Sequence, residues 1–212
     1  MEPVPASVTA DRHRYLPLLD RLQALFQEMD RSYEAVATQY GFVCSGCTEN
    51  CCLTRFYHHT LVEYLFLFEG IRRLGADDRN TIRQRSIDAI QRGIEADQQR
   101  QPHRVMCPLN QAERCQLYPY RPMICRLHGI PHELHPPTGR IVRNPGCDAF
   151  FSQCRDRGKT DYIPFDRTPF YRRMALLERE LRQLAGYNEK IKLTIAQMIV
   201  TMTDPDYEID RR

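Results

Sequence analysis

Cysteine is the residue type whose spacing could do chemistry in this chain. Cys44, Cys47, Cys51 and Cys52 fall within nine residues, and Cys107, Cys115, Cys125, Cys147 and Cys154 form a second, looser group. Thiolates at CxxC spacing can turn two sulfurs toward one ion, and a distant second group can close the shell, so the pattern predicts a metal site. Four sulfurs around zinc make a closed tetrahedral structural site. Four around iron and sulfide hold a cluster of redox or structural role, such as a 4Fe–4S cube. Spacing alone does not separate the two metals. Neighbouring side chains such as Cys51 and Cys52 tend to point apart, so one is expected on the first site and the other on a second site, a partner thiol or the core. A lone buried cysteine is ordinarily a small hydrophobe, and Cys154 is the member expected to lie outside the shell.

Other chemistry is thinner. Cys125-x2-His128 and His132-x2-His135 have ligand-like spacing, and His128 is the best candidate outside the cysteines. His58-His59 precedes a helix cap and reads as a solvated approach to that helix. A thiol nucleophile needs one exposed cysteine of low pKa, and nothing in the pattern singles one out. Asp77-Asp78, Asp97 and Glu178-Glu180 read as helix ends and solvated faces, so no catalytic acid–base pair is assigned.

At 212 residues the chain is long enough for one domain with its own core, so a metal would organise a region and not the whole fold. Met1 to Ala10 has neither the basic start nor the apolar stretch of a signal peptide, which predicts a cytoplasmic protein with reduced thiols. The most apolar run, Leu61 to Phe68, contains Glu63 and is far short of the roughly 20 residues that cross a bilayer. Charge is uneven: residues 1–99 carry 11 Arg/Lys against 14 Asp/Glu, and residues 100–182 carry 15 against 8. That basic surplus coincides with the second cysteine group. Clustered arginine can neutralise nucleic-acid phosphates, but a thiolate centre is itself anionic and uses the same arginines for compensation and hydrogen bonds to sulfur. The second explanation is the stronger, and nucleic acid is disfavoured as a partner.

The elements that must position these residues are mainly helical. Leu18, Leu22, Leu25, Phe26, Met29 and Val36 predict a helix from about Pro17 to Gln39, ended by Gly41. Residues 43–53 lack helical periodicity and read as a metal-binding loop. Thr60 caps a second helix through Leu74, apolar almost all round and therefore buried, with Gly75 as its stop. Asp77 or Asp78 caps a third, surface helix to about Gln101. Prolines recur from Pro102 to Pro169, so only short turns are expected there, with a brief helix after Pro122 carrying Cys125 and a short strand at Ile141-Val142. Thr168-Pro169 starts a helix with Phe170, Met174, Leu177, Leu181 and Leu184 on one stripe, which reads as core packing ahead of a dimer seam. A last helix covers about Thr194 to Met202. The expected architecture is a single domain over 1–212, mainly α with little or no β. Within it, irregular cysteine-rich loops over 42–155 enclose two helices, and C-terminal helices follow over 168–203.

The run Cys44-x2-Cys47-x3-Cys51-Cys52, with Cys107-Pro108-Leu109, Cys115-Gln116-Leu117-Tyr118 and Arg121-Pro122-x2-Cys125-Arg126, resembles the CxxCxxCC cysteine-cluster family, described as zinc- or iron-chelating, with a flagellin lysine methylase among its relatives. The resemblance covers roughly residues 42–128 and implies Cys44, Cys47, Cys51, Cys52, Cys107, Cys115 and Cys125 as the chelating set, completed by Cys147. It also implies that Pro108 fixes the turn after Cys107, and that Arg121 and Arg126 hydrogen-bond thiolates or hold the loop through carboxylates. The first run is one residue longer than the family pattern, and Asn50 stands where a glycine precedes the paired cysteines. The expected function is a cysteine-ligated metal centre of redox or structural role, an iron–sulfur cluster ahead of zinc. A metal-dependent redox or methyl-transfer enzyme and a zinc-stapled module holding a protein partner are the alternatives.

Overall fold

The computed structural model describes residues 4–44, 51–156, 158 and 161–203. In chain order these form α1 (Ala6–Ala10), α2 (Leu16–Tyr40), α3 (Leu61–Arg72), α4 (Ala76–Gln98), β1 (Asn110–Gln111) and β2 (Arg114–Cys115). After them come α5 (Met123–Leu127), β3 (His132–Leu134), β4 (Val142–Asn144), α6 (Asp148–Asp156), α7 (Thr168–Ala185) and α8 (Ile195–Thr203). The protein is mainly α, and among the described residues its strands make two antiparallel hairpins, β1–β2 and β3–β4. No described helix is long and apolar enough to cross a membrane. The chain divides into two compact units. Unit 1 takes residues 1–19, 52–122 and 178–212, and unit 2 takes 20–51 and 123–177.

Unit 1 is built on α3. Its side chains are apolar on every face, and Leu61, Val62, Tyr64, Leu65, Phe66, Leu67 and Ile71 are all buried. Thr60 caps it as expected: its hydroxyl accepts the Glu63 N–H at 3.4 Å and donates to the Glu63 carboxylate at 2.5 Å. The first two free amides of the helix, Leu61 and Val62, donate at 2.8 and 2.9 Å to the two carboxylate oxygens of Glu178. This corrects the reading of Glu178 as a solvated face. Its side chain is 13% exposed and bonded also to Arg182, because the C-terminal half of α7 comes back onto the start of α3. A carboxylate on two orphan amides at a helix N-terminus makes charge-assisted bonds in a favourable dipole field. Glu178→Ala is therefore expected to destabilise the protein by about 2 kcal/mol, read as a lower urea midpoint. A loss below 0.5 kcal/mol, the scale of a surface substitution, would remove the cap from the account.

α4 packs along α8, which buries Ile82, while most of its other face stays in solvent. It differs from expectation at its start, since Gly75 is the N-cap residue and Asp77 and Asp78 lie in the first turn, where their charge suits the dipole. Gly75 thus opens α4 instead of stopping α3, which ends at Arg72. His58 is also corrected. Its backbone pairs with Leu193 in both directions, N–H to carbonyl at 2.7 and 3.1 Å, and this bridge leaves the side chain 3% exposed instead of solvated.

In unit 2, α2 from Asp20 onward buries Leu22, Leu25, Phe26, Met29, Ala37 and Tyr40 before Gly41, at φ 67°, ends the helix. Tyr40 and Phe42 meet Phe150 of α6 edge-on, with ring centroids 4.8 and 5.4 Å apart. β3 pairs with β4 in the register His132↔Asn144, Glu133↔Arg143 and Leu134↔Val142, so the strand expected at residues 141–142 is displaced toward Asn144 and has a partner. Phe170, Met174, Leu177 and Leu181 of the α7 stripe are buried, as core packing requires, whereas Leu184 at its end is 40% exposed.

Candidate metal centre

Three of the candidate ligands belong to unit 1. Cys52 lies in a single 3-10 turn, Cys51–Leu53, and its carbonyl accepts the Cys107 N–H at 2.7 Å. The Cys107 carbonyl in turn accepts the Asn110 N–H at 2.9 Å, closing a tight turn in which Pro108 and Leu109 are buried. From that turn β1 leads into β2, where Cys115 stands opposite Asn110, and Gln116 N–H returns to the Leu109 carbonyl at 2.8 Å. One run of main-chain hydrogen bonds therefore ties the backbone of Cys52 to the knuckle that carries Cys107 and Cys115. All three side chains are half-buried. The role implied for Pro108 fits this turn, since its fixed φ suits a bend and it has no amide to satisfy.

The knuckle was not legible as a hairpin, because its turn lacks the usual residues. Ala112 and Glu113 occupy the two central positions at φ 48° and 65°, where Asn-Gly is favoured in a two-residue turn. Holding a residue with a Cβ in this left-handed region costs about 1 kcal/mol. Glu113→Gly is expected to raise stability by up to about 1 kcal/mol, offset in part by glycine's greater freedom in the unfolded chain. A thermal-melt comparison that finds the variant less stable than the parent would show that Glu113 contributes contacts outweighing its strain.

Unit 2 holds Cys44, Cys51, Cys125, Cys147 and Cys154, whereas Cys47 lies outside the described residues. Cys125 is on α5, the brief helix expected after Pro122. Cys147 precedes α6, its N–H donating to the Gly129 carbonyl at 2.8 Å and its sulfur accepting the Phe150 N–H at 3.4 Å. Gly129 sits at φ 122°, and a Cβ there would stand 2.7 Å from the Tyr33 hydroxyl, so the turn between α5 and β3 accepts only glycine. Cys44 is exposed. Cys154 is buried on α6 with its sulfur 4.0 Å from the Tyr40 carbonyl. The segments carrying candidate ligands are thus short turns, a hairpin and helix ends more than the irregular loops expected.

The flanking arginines divide between two tasks. Arg126, 4% exposed, pairs with Asp30 at 2.5 Å and lies over the Phe26 ring at 4.3 Å, so it holds α5 to α2 through a carboxylate. Arg121 stacks on the exposed Tyr118 ring at 3.8 Å. His128 is half-buried, and both burial and the charge of Arg167 push its pKa down. The same two causes bring His132 to about 4. His135 instead joins Glu133 at 2.9 Å in a surface network with Arg143 and Tyr162. Arg167 and Asp30 went unremarked in the sequence. The one signal for Arg167 is its position immediately before the Thr168-Pro169 helix start.

Among the described residues no three cysteine, histidine or acidic side chains form a metal-binding group. No protein-family model, curated protein or solved structure matches the chain.

Proposed function

We propose that this protein binds a cysteine-ligated metal centre, an iron–sulfur cluster ahead of zinc, in a reducing compartment such as the cytoplasm. The observation that carries the reading is the main-chain bond from Cys107 to Cys52, which joins the two cysteine groups at the knuckle bearing Cys115. A chain that needed cysteines only as small hydrophobes would have no reason to place them at ligand spacing in half-buried turns. Cys44, Cys47, Cys51, Cys52, Cys107, Cys115, Cys125 and Cys147 are the candidate thiolates, four to a centre, filling one centre or two. The Cys-Pro step, the adjacent cysteines and the arginine surplus are the grounds for preferring a charged cluster to zinc. Such a centre would supply electron transfer or a rigid cross-link between turns that have little regular structure of their own. The likeness to the cysteine-cluster family supports the same reading through the residues already quoted.

Anaerobic purification followed by metal and acid-labile sulfide analysis and an absorption spectrum tests it. Iron with sulfide and visible absorption is the expected result, and Cys107→Ser is expected to lower the metal content. Stoichiometric zinc in a colourless protein would replace the cluster with a zinc site. A protein that holds neither metal, and takes up neither on anaerobic reconstitution, would overturn the reading.

A further inference from the structure

Arg167 is 1% exposed, yet among the described residues no carboxylate pairs with its guanidinium. It is fixed at both ends of the segment 127–133. Its backbone N–H donates to the Glu133 carbonyl at 3.0 Å, and one terminal nitrogen donates to the Leu127 carbonyl. Nε is buried and has no hydrogen-bond partner among the described residues. The acid next to it in the chain and the one whose carbonyl it bonds are engaged elsewhere: Asp166 accepts the Thr168 N–H at 2.8 Å, and Glu133 accepts from His135, Tyr162 and Arg143. Arg126 in the same unit shows the contrasting case, a buried guanidinium with its carboxylate in place. On the segment that Arg167 spans, His132 keeps a buried Nδ1, and the charge of Arg167 acts on both the His132 and the His128 rings. A buried cation without a counter-charge is costly in a folded protein, and an anion beside its open Nε would relieve that cost.

We propose that Arg167, with His132 and His128, forms a binding centre for a small oxyanion, a carboxylate or phosphate group. The guanidinium offers its unpartnered Nε–H as a charged donor to such a group, and the histidines, partly exposed, give the approach from solvent. The centre lies wholly in unit 2, and the proposal does not depend on a metal being bound.

The test titrates the full chain at pH 7 with inorganic phosphate and, separately, acetate, with chloride holding ionic strength constant. Melting temperature and the Arg167 Nε–H signal in nitrogen-15 NMR are the readouts. A saturable rise in melting temperature together with movement of that signal is expected, because a ligand that binds only the folded state stabilises it. Response to phosphate alone assigns a phosphate group, and response to acetate assigns a carboxylate. Arg167→Lys keeps the charge but loses the fork, and is expected to weaken binding about tenfold. His132→Gln, at a less buried position, is expected to weaken it severalfold, and it decides the matter if the Arg167 variant does not fold. An unmoved Arg167 signal with both anions overturns the proposal, as does equal affinity in the parent and in both variants.

Discussion

Lowering the pH from 6.5 to 4 is expected to remove about 3 kcal/mol of folding free energy through His58 alone, and His58→Phe is expected to abolish that loss. The residue is 3% exposed, and its Nε2 is buried without a hydrogen-bond partner among the described residues. Burial, with a smaller contribution from the charge of His59, pushes its pKa from 6.5 down to about 4. Between those two values the unfolded chain takes up a proton that the folded chain refuses. The stabilisation is therefore complete above about 6.5 and falls away as the pH drops toward 4. His132 adds to the slope in the same direction, by less, because its ring is half-exposed and water screens part of the shift. Phenylalanine keeps the ring volume and removes the polar nitrogens, so His58→Phe should fold at neutral pH and lose about 3 kcal/mol less than the parent on going to pH 4. Urea unfolding at several pH values provides the comparison. Parallel profiles for parent and variant would show that His58 is solvated or finds a partner.

Asp30→Ala is expected to cost about 3 kcal/mol, because it leaves the Arg126 guanidinium buried without the carboxylate that sits 2.5 Å away. The cost lies at the lower end of the range for buried pairs, since the Asp30 side chain is 35% exposed and already shares its charge with water. Removing both partners is a different matter. In Asp30→Ala/Arg126→Met the unbranched thioether fills the space over Phe26 and no buried charge remains, so most of the lost stability should return. A double-mutant cycle in urea gives the coupling directly. If the double variant is as unstable as the sum of the single ones, the pair does not interact and α5 is held to α2 by packing alone.

The helices legible in the sequence are those whose apolar spacing survives on its own. α2, α3, α7 and α8 start and stop within a few residues of expectation, because a buried stripe repeats every three to four residues whatever packs against it. α4 was placed correctly in kind but not at its cap, where Gly75 and the two acids after it offered competing starts. The β1–β2 hairpin escaped because Ala112 and Glu113 adopt positive φ without any turn signature in their side chains. α6 escaped because it is a short helix, Asp148–Asp156, within a proline-rich stretch that otherwise forbids long elements. At the candidate centre, the cysteines and their spacing were readable, as were Arg126 and Pro108 as supporting residues. The bond from Cys107 to Cys52 was not, since two backbones so far apart along the chain meet only through the fold.

The amino-acid order by itself determined that the protein is mainly helical and which side chains offer thiol ligands at metal-binding spacing. It also determined that basic charge gathers around the second cysteine group. Those properties depend on residue type and local period alone. Only the tertiary structure decided which charged and titratable groups lose their water. Glu178 and Asp30 found amide and guanidinium partners from other elements, and His58 and Arg167 were buried with polar atoms left unmatched. The physical reason is that desolvation is set by what packs over a residue from elsewhere in the chain, and no spacing of neighbours records it.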